Sequence, residues 1–197
     1  MSIPGPGARV SMRGSIVSAG FASGDRVVVG NWMESPVGRI TDVMWAEPSG
    51  RRVLFVSDGT AASFVAGVYE FDSVEVVPLR TVRGARSLTV TVGDRLLRFD
   101  ARRGIAVPVP RPAWFTRCVE GPIARRLMGV TTHGVSPTGV EEWYRANRWA
   151  PLRHASAVVE GRSLGTMAPV TPACGFGFSE PPSAPSWVDV RPLLRYP

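Results

Sequence analysis

Between Ser87 and Ala101 the chain can fold in essentially one way. Leu88, Val90 and Val92 alternate with Thr89 and Thr91, so the apolar residues share one side of an extended backbone. Gly93-Asp94 follows where a tight turn belongs, and Arg95–Ala101 is predicted to return as the partner strand. A two-stranded hairpin is at best marginal in water and needs further strands or a helix over its apolar face. The remaining sequence must therefore supply that cover, and it supplies mostly strands.

β-branched runs at Ile16-Val17 and at Arg26–Val29, after the Gly24-Asp25 turn signal, predict two of them. Gly38–Glu47 and Arg51–Ser57 flank Pro48-Ser49-Gly50 and predict a second hairpin. Val74–Val82, Arg153–Glu160, Phe176–Phe178 and Ser186–Val190 predict more strands. Helical spacing is found in few places. Ala61, Phe64, Val65 and Val68 make an i, i+3, i+4, i+7 stripe within Asp58–Tyr69, with Thr60 as the expected N-cap. Pro122–Met128, stopped by Gly129, predicts another short helix. Pro108, Pro110 and Pro112 make Ala106–Ala113 an extended crossing segment.

The expected class is mainly β (α+β): an antiparallel barrel or strongly curved sheet with two or three short helices. Long helices alternating with strands are missing, which argues against a doubly wound parallel sheet. Residues 1–14, with Pro4-Gly5-Pro6-Gly7, are expected to form a flexible N-terminal arm. Residues 15–197 are expected to form a single β-rich domain ending in a Pro/Gly-rich segment.

Composition closes off several chemistries. All 23 basic residues are Arg, with no Lys and no Gln. Without a lysine amine there is no Schiff base, no pyridoxal phosphate chemistry and no P-loop. The +7 charge is scattered, with no run of five basic residues, so it reads as a solvated surface and nucleic acid is not an expected partner. Cys118 and Cys174 are too few for a thiolate zinc site and read as two buried free thiols, with a single disulfide between them as the alternative. Met1–Arg13 lacks the apolar core of a signal peptide, and no stretch approaches about 18 apolar residues, so no membrane span is expected and a cytoplasmic location is. No metal and no cofactor are expected.

Polar and aromatic groups concentrate between Gly129 and Leu152. Thr138-Gly-Val-Glu141 matches a capping box, which would set Val140, Trp143, Tyr144 and Asn147 on one helix face. Equally, Val140–Arg145 and Arg148–Arg153 could pair as a hairpin across Ala146-Asn147. In a strand, Glu142 and Tyr144 share one face, and Trp143 and Arg145 take the other. Either way the group reads as a pocket wall, with aromatic area and Glu142 or Tyr144 to orient a ligand; the alternative is that Trp143 and Trp149 are core. His133 and His154 flank the stretch, and neither has metal-ligand or catalytic spacing.

A second group comprises Trp32, Glu34, Asp42 and Trp45. Alternation puts Asp42 and Met44 on Ile40's face, and Thr41, Val43 and Trp45 on the opposite one. An aspartate among apolar neighbours would have a raised pKa and could act as an acid; the alternative is a solvated carboxylate beside Arg39. Cys174-Gly-Phe-Gly-Phe178 reads as a core thiol with glycines that let backbone or ligand come close. The leading expectation is non-catalytic binding of a small, largely apolar ligand in a barrel-like cavity, lined by Trp143, Tyr144, Glu142, Trp45, Asp42 and His133. One rival is a metal-independent acid/base enzyme using Glu142, Asp42 or His133. The other is a protein-interaction module with exposed Trp and Arg.

Overall fold

The computed structural model describes residues 4–106 and 133–197. Its strands, in order, are β1 Arg9–Ser11, β2 Arg13–Phe21, β3 Arg26–Glu34, β4 Ile40–Ala46, β5 Arg52–Val56, β6 Ser73–Val76, β7 Leu79–Arg83, β8 Ser87–Val92 and β9 Arg95–Ala101. They continue with β10 Ile105–Ala106, β11 His133–Val135, β12 Glu141–Trp143, β13 Ala146–Val159, β14 Arg162–Ser163, β15 Met167–Ala168, β16 Ser186–Val190 and β17 Leu193–Arg195. The helix α1, Gly59–Ala66, lies between β5 and β6.

The large sheet runs β6-β5-β4-β3-β2-β16-β13-β9-β8-β7, with β10 and β14 added to β13 and β15 added to β2. Neighbours are antiparallel except β5 and β6. Its two outermost strands are consecutive in the chain, with only Val77 and Pro78 between them. A sheet whose opposite edges are joined by two residues must curl, and this one forms a strongly curled half-barrel. Pro78 has no amide hydrogen, which divides the expected single strand Val74–Val82 into β6 and β7. β13 carries two irregularities, at Ala146/Arg148 and Leu152/His154, and pairs with β16 along its first half and β9 along its second. Bulges of this kind bend a strand and increase its twist.

Alternation then sorts the side chains. Val17, Val29, Val43 and Phe55 meet Leu88, Leu97 and Ala157 from the opposite flank, so these residues fill the concave face. Strand β7 closes over the polar end of that face: Thr81 Oγ1 donates to Thr41 Oγ1 (3.1 Å), and Arg83 Nη1 donates to Ser15 Oγ (2.7 Å) and Asn31 Oδ1 (3.0 Å). Guanidinium groups cover the aromatic rings at two places, Arg83 4.9 Å from the Trp187 centroid and Arg95 4.6 Å from that of Phe55. The convex face is apolar too. Val28, Met44 and Leu54 pack under Phe64 and Val65 of α1 and under Val140 and Leu194. The last two belong to a second sheet, β1-β17-β12-β11, or its turn. A second core therefore lies between the half-barrel and its outer cover.

The expected class, a curved and mainly β sheet, is the one observed. The β8–β9 hairpin has its predicted register, with Leu88, Val90 and Val92 fully buried and Gly93 in the left-handed region (φ 56°). The helical stripe is also as read, with Ala61, Phe64, Val65 and Val68 buried. Its N-cap is Asp58, not Thr60: Asp58 Oδ1 accepts from the Ala61 amide at 2.8 Å, and that bond holds the carboxyl below its ordinary range. Asp58→Ala is expected to cost about 1 kcal/mol in urea denaturation, the usual worth of such a cap. Phe176–Phe178 does not form a strand, and Arg153–Val159 is part of the longer β13, with Glu160 in the turn after it. Within the stretch expected as an arm, Arg9–Ser11 pairs with Leu193–Arg195. The expected helix at Pro122–Met128, Cys118 and most of the proline-rich crossing lie outside the described residues. No helix of the described residues is long and apolar enough to cross a membrane.

Candidate functional site

Glu141–Trp143 forms a strand because the chain turns tightly before it. Gly139 takes a positive φ of 87°, and Ser136 Oγ accepts from the Val140 amide at 3.1 Å. This returns β12 against β11, with Glu142 opposite Gly134, and leaves no room for a helix. The other partner of β12 is β17, not Arg148–Arg153, so the expected hairpin across Ala146-Asn147 is replaced by β11–β12. Period-two geometry sends Glu142 inward into the second core and turns Glu141 and Trp143 away from it.

Glu142 is fully buried. Its Oε2 accepts from Tyr69 Oη at 3.0 Å, and the Tyr69 hydroxyl also hydrogen-bonds the Tyr144 hydroxyl. Its Oε1 has no partner among the described residues. Burial pushes the carboxyl up to about 7 although the tyrosine bonds act to lower it. Burial likewise raises both tyrosines well above the ordinary phenol range, and the neighbouring Glu142 charge adds to this. The Tyr196 hydroxyl is buried without a partner among the described residues, and burial followed by the charge of Glu142 pushes it up to about 12. The sequence contains three tyrosines, and all three meet here.

Asp42 enters the same layer from β4. It too is fully buried: Oδ1 accepts from Trp32 Nε1 at 2.8 Å, and Oδ2 has no partner among the described residues. Desolvation raises it to about 7 against the lowering bonds from Trp32 and the Gly30 backbone. Its charge contributes to the raised pKa of Tyr144. Gly30 makes the Asp42–Trp32 bond possible, since a Cβ there would lie 2.5 Å from Oδ1 and 2.6 Å from Nε1. The segment after Cys174 covers the group. Gly177 lies where a Cβ would be 2.7 Å from the Tyr69 ring, and the Phe178 ring sits against Gly134 and 6.1 Å from Tyr144. Glu180 holds this segment by accepting from the Cys174 and Gly175 amides at 2.7 and 2.8 Å. The rings of Tyr69, Tyr144 and Tyr196 are half-buried, so their hydroxyls lie inside while part of each residue reaches solvent.

The structure thus brings together Asp42, Glu142 and Tyr144 on the convex side of the sheet, not around its concave face. Trp45 is on the concave face, donating to Asp25 Oδ1 at 2.7 Å. His133 and Trp143 are on the far side of the small sheet. Their rings lie 5.0 Å apart, and His133 Nε2 is 3.0 Å from Glu141 Oε1. Arg195 also bonds Glu141. The solvated reading of Asp42 beside Arg39 is overturned by its full burial. Cys174 is buried and free. Tyr69 and Tyr196 are cluster members that the sequence did not point to. Tyr69 stands one residue beyond the helical stripe, and Tyr196 sits among prolines. Their rarity was the one available signal.

No family model matches the sequence. No curated protein matches it either. Among solved structures, an acetoacetate decarboxylase from Legionella pneumophila is similar at a TM-score of 0.43 and 7% identity, over 100% of this chain and 88% of that one. A likeness at that level assigns no activity, so the chemistry is read from the groups themselves. Among the described residues no three His, Cys, Asp or Glu side chains are grouped to hold a metal ion. The described tryptophans are buried or half-buried, none being exposed.

Proposed function

We propose that this domain binds a small molecule at the Glu142–Tyr69–Tyr144 cluster, with Glu142 as an anchor that can give or take a proton. The observation that carries the reading is the state of Glu142, a fully buried carboxyl pushed to about 7 with one oxygen on Tyr69 and the other unpartnered. A buried polar atom without a partner costs on the order of 1–3 kcal/mol, and a bound molecule with a matching donor recovers it. Perturbed carboxyls of this kind concentrate at functional sites. The concave face is packed with apolar side chains from both flanks, and among the described residues its buried polar groups Ser15 and Asn31 are both bonded to Arg83. A second reading, acid/base catalysis, is favoured by the second carboxyl, Asp42, poised at about the same pH in the same layer.

All three tyrosines lie in the cluster, so 3-fluorotyrosine labelling gives a reporter confined to it. In ¹⁹F NMR of the full chain, a library of small amines, alcohols, ketones and carboxylates is expected to contain compounds that shift these resonances saturably. Glu142→Gln is expected to weaken their binding about tenfold, the worth of one good polar contact. A library that moves none of the resonances would remove the reading.

A further inference from the structure

The protein places cations beside several of its carboxylates. Glu141, one residue from Glu142, has Arg195. Asp189 has Arg83 at 3.4 Å and Arg148 at 3.2 Å, and Asp72 has Arg52 at 3.1 Å. Asp42 and Glu142 differ from these: both are fully buried, and among the described residues neither forms an ion pair or has its charge supported by a guanidinium. In a chain with 23 arginines and a charge of +7, this pair of acids meets no counter-charge among the described residues.

What surrounds them instead is aromatic. Tyr69, Tyr144 and Tyr196 stand around Glu142, Trp32 holds Asp42, and Phe178 lies beside Tyr144. Ring faces attract cations through their quadrupole, and the attraction grows when the cation is desolvated. Two unpartnered acceptor oxygens, Glu142 Oε1 and Asp42 Oδ2, complete a donor-seeking, cation-seeking set.

We infer that the molecule taken by this cluster is a small organic cation, an ammonium or alkylammonium group held by Asp42 and Glu142 and walled by the tyrosine rings. The inference rests on the cluster being a binding site and adds the ligand's charge class. It also carries a proton count. The titratable groups facing the carboxyls are Tyr69 beyond the end of α1, Tyr144 after β12 and Tyr196 after β17. All three are neutral near pH 7, as phenols ordinarily are, and burial raises their pKa values further. His133, Glu141 and Arg195 interact with one another on the other side of β12. Within the cluster the carboxyls are therefore the groups that change charge near pH 7. A cation binds their ionised form, so binding releases protons around pH 7 and tightens as the pH rises from 6 to 8.

The test uses the 3-fluorotyrosine-labelled full chain with methylammonium, tetramethylammonium, tert-butanol and acetate as probes. One of the two ammonium ions is expected to shift the tyrosine resonances saturably, and to bind about tenfold tighter at pH 8 than at pH 6, the change in ionised fraction of one carboxyl titrating near 7. Calorimetry in two buffers of different ionisation heat is expected to register proton release at pH 7 and none at pH 9. Glu142→Gln, verified as folded by its amide spectrum, is expected to bind the same ion about tenfold more weakly. Tighter binding of tert-butanol or acetate than of either ammonium ion would overturn the charge class and leave the binding site standing. If no probe and no library compound moves the resonances, both fail.

Discussion

Glu142→Gln is expected to stabilise the protein by about 3 kcal/mol at pH 9 and to change its stability by under about 1 kcal/mol at pH 4. The Glu142 carboxyl is held at about 7 in the folded chain against 4.5 as its ordinary value. Between those two pH values the folded state binds the proton and the unfolded state has released it, so stability falls as pH rises. The neutral-acid advantage is present in full below about pH 4.5 and gone above about pH 7. A gap of that size corresponds to about 3 kcal/mol, from roughly 1.4 kcal/mol for each tenfold change in proton affinity. Glutamine has no charge to desolvate. Its oxygen can still accept from Tyr69, and its amide lies where Oε1 has no partner. Asp42 adds a second loss over a similar range, and Asp42→Asn should flatten that part of the profile in the same sense. Urea denaturation from pH 4 to 9 measures all of this. A glutamine variant whose profile runs parallel to that of the parent, or lies below it at pH 9, would show that the carboxyl is not buried as described.

The second large effect belongs to the concave core. Trp187→Ala is expected to cost about 3–5 kcal/mol, the range for removing a buried large aromatic side chain. Trp187 has no solvent exposure, donates from Nε1 to Asp189 Oδ1 at 2.9 Å, and lies beneath the Arg83 guanidinium. Arg83 in turn ties β7 to Ser15 and Asn31 across the curl. The alanine variant should therefore also speed amide hydrogen exchange in Leu79–Arg83, beyond what its global stability accounts for. A cost below about 1 kcal/mol would mean that the concave face is not the packed core that closes the half-barrel.

Much of the molecule was legible in one dimension because its rules are local. Period-two alternation alone put Asp42 with Ile40 and Met44, and Val43 with Trp45 on the reverse; burial and contacts reproduce that division. The same rule paired Glu142 with Tyr144 once the segment is a strand. It could not choose strand over helix for residues 139–149, since the capping-box pattern and the strand residues compete and the turn at Ser136–Gly139 is decided by packing against β17 and Val68. Nor could it tell a buried aspartate from a solvated one: both read as a single acid in an apolar strand. Only the cover from α1, the second sheet and the Cys174–Glu180 segment makes Asp42 fully buried.

By itself, then, the sequence determined the strand grammar, the curved and mainly β class, the faces of β4 and β8, and the absence of any lysine chemistry. The tertiary structure alone decided the strand order, the convex location of the polar cluster, and the meeting of Tyr69, Tyr144 and Tyr196 around one carboxyl. The physical reason is range. Side-chain alternation depends on neighbours two residues away, whereas burial and pKa depend on what the rest of the chain brings across distances of 73 to 75 residues, as the bonds from Tyr69 to Glu142 and Tyr144 do.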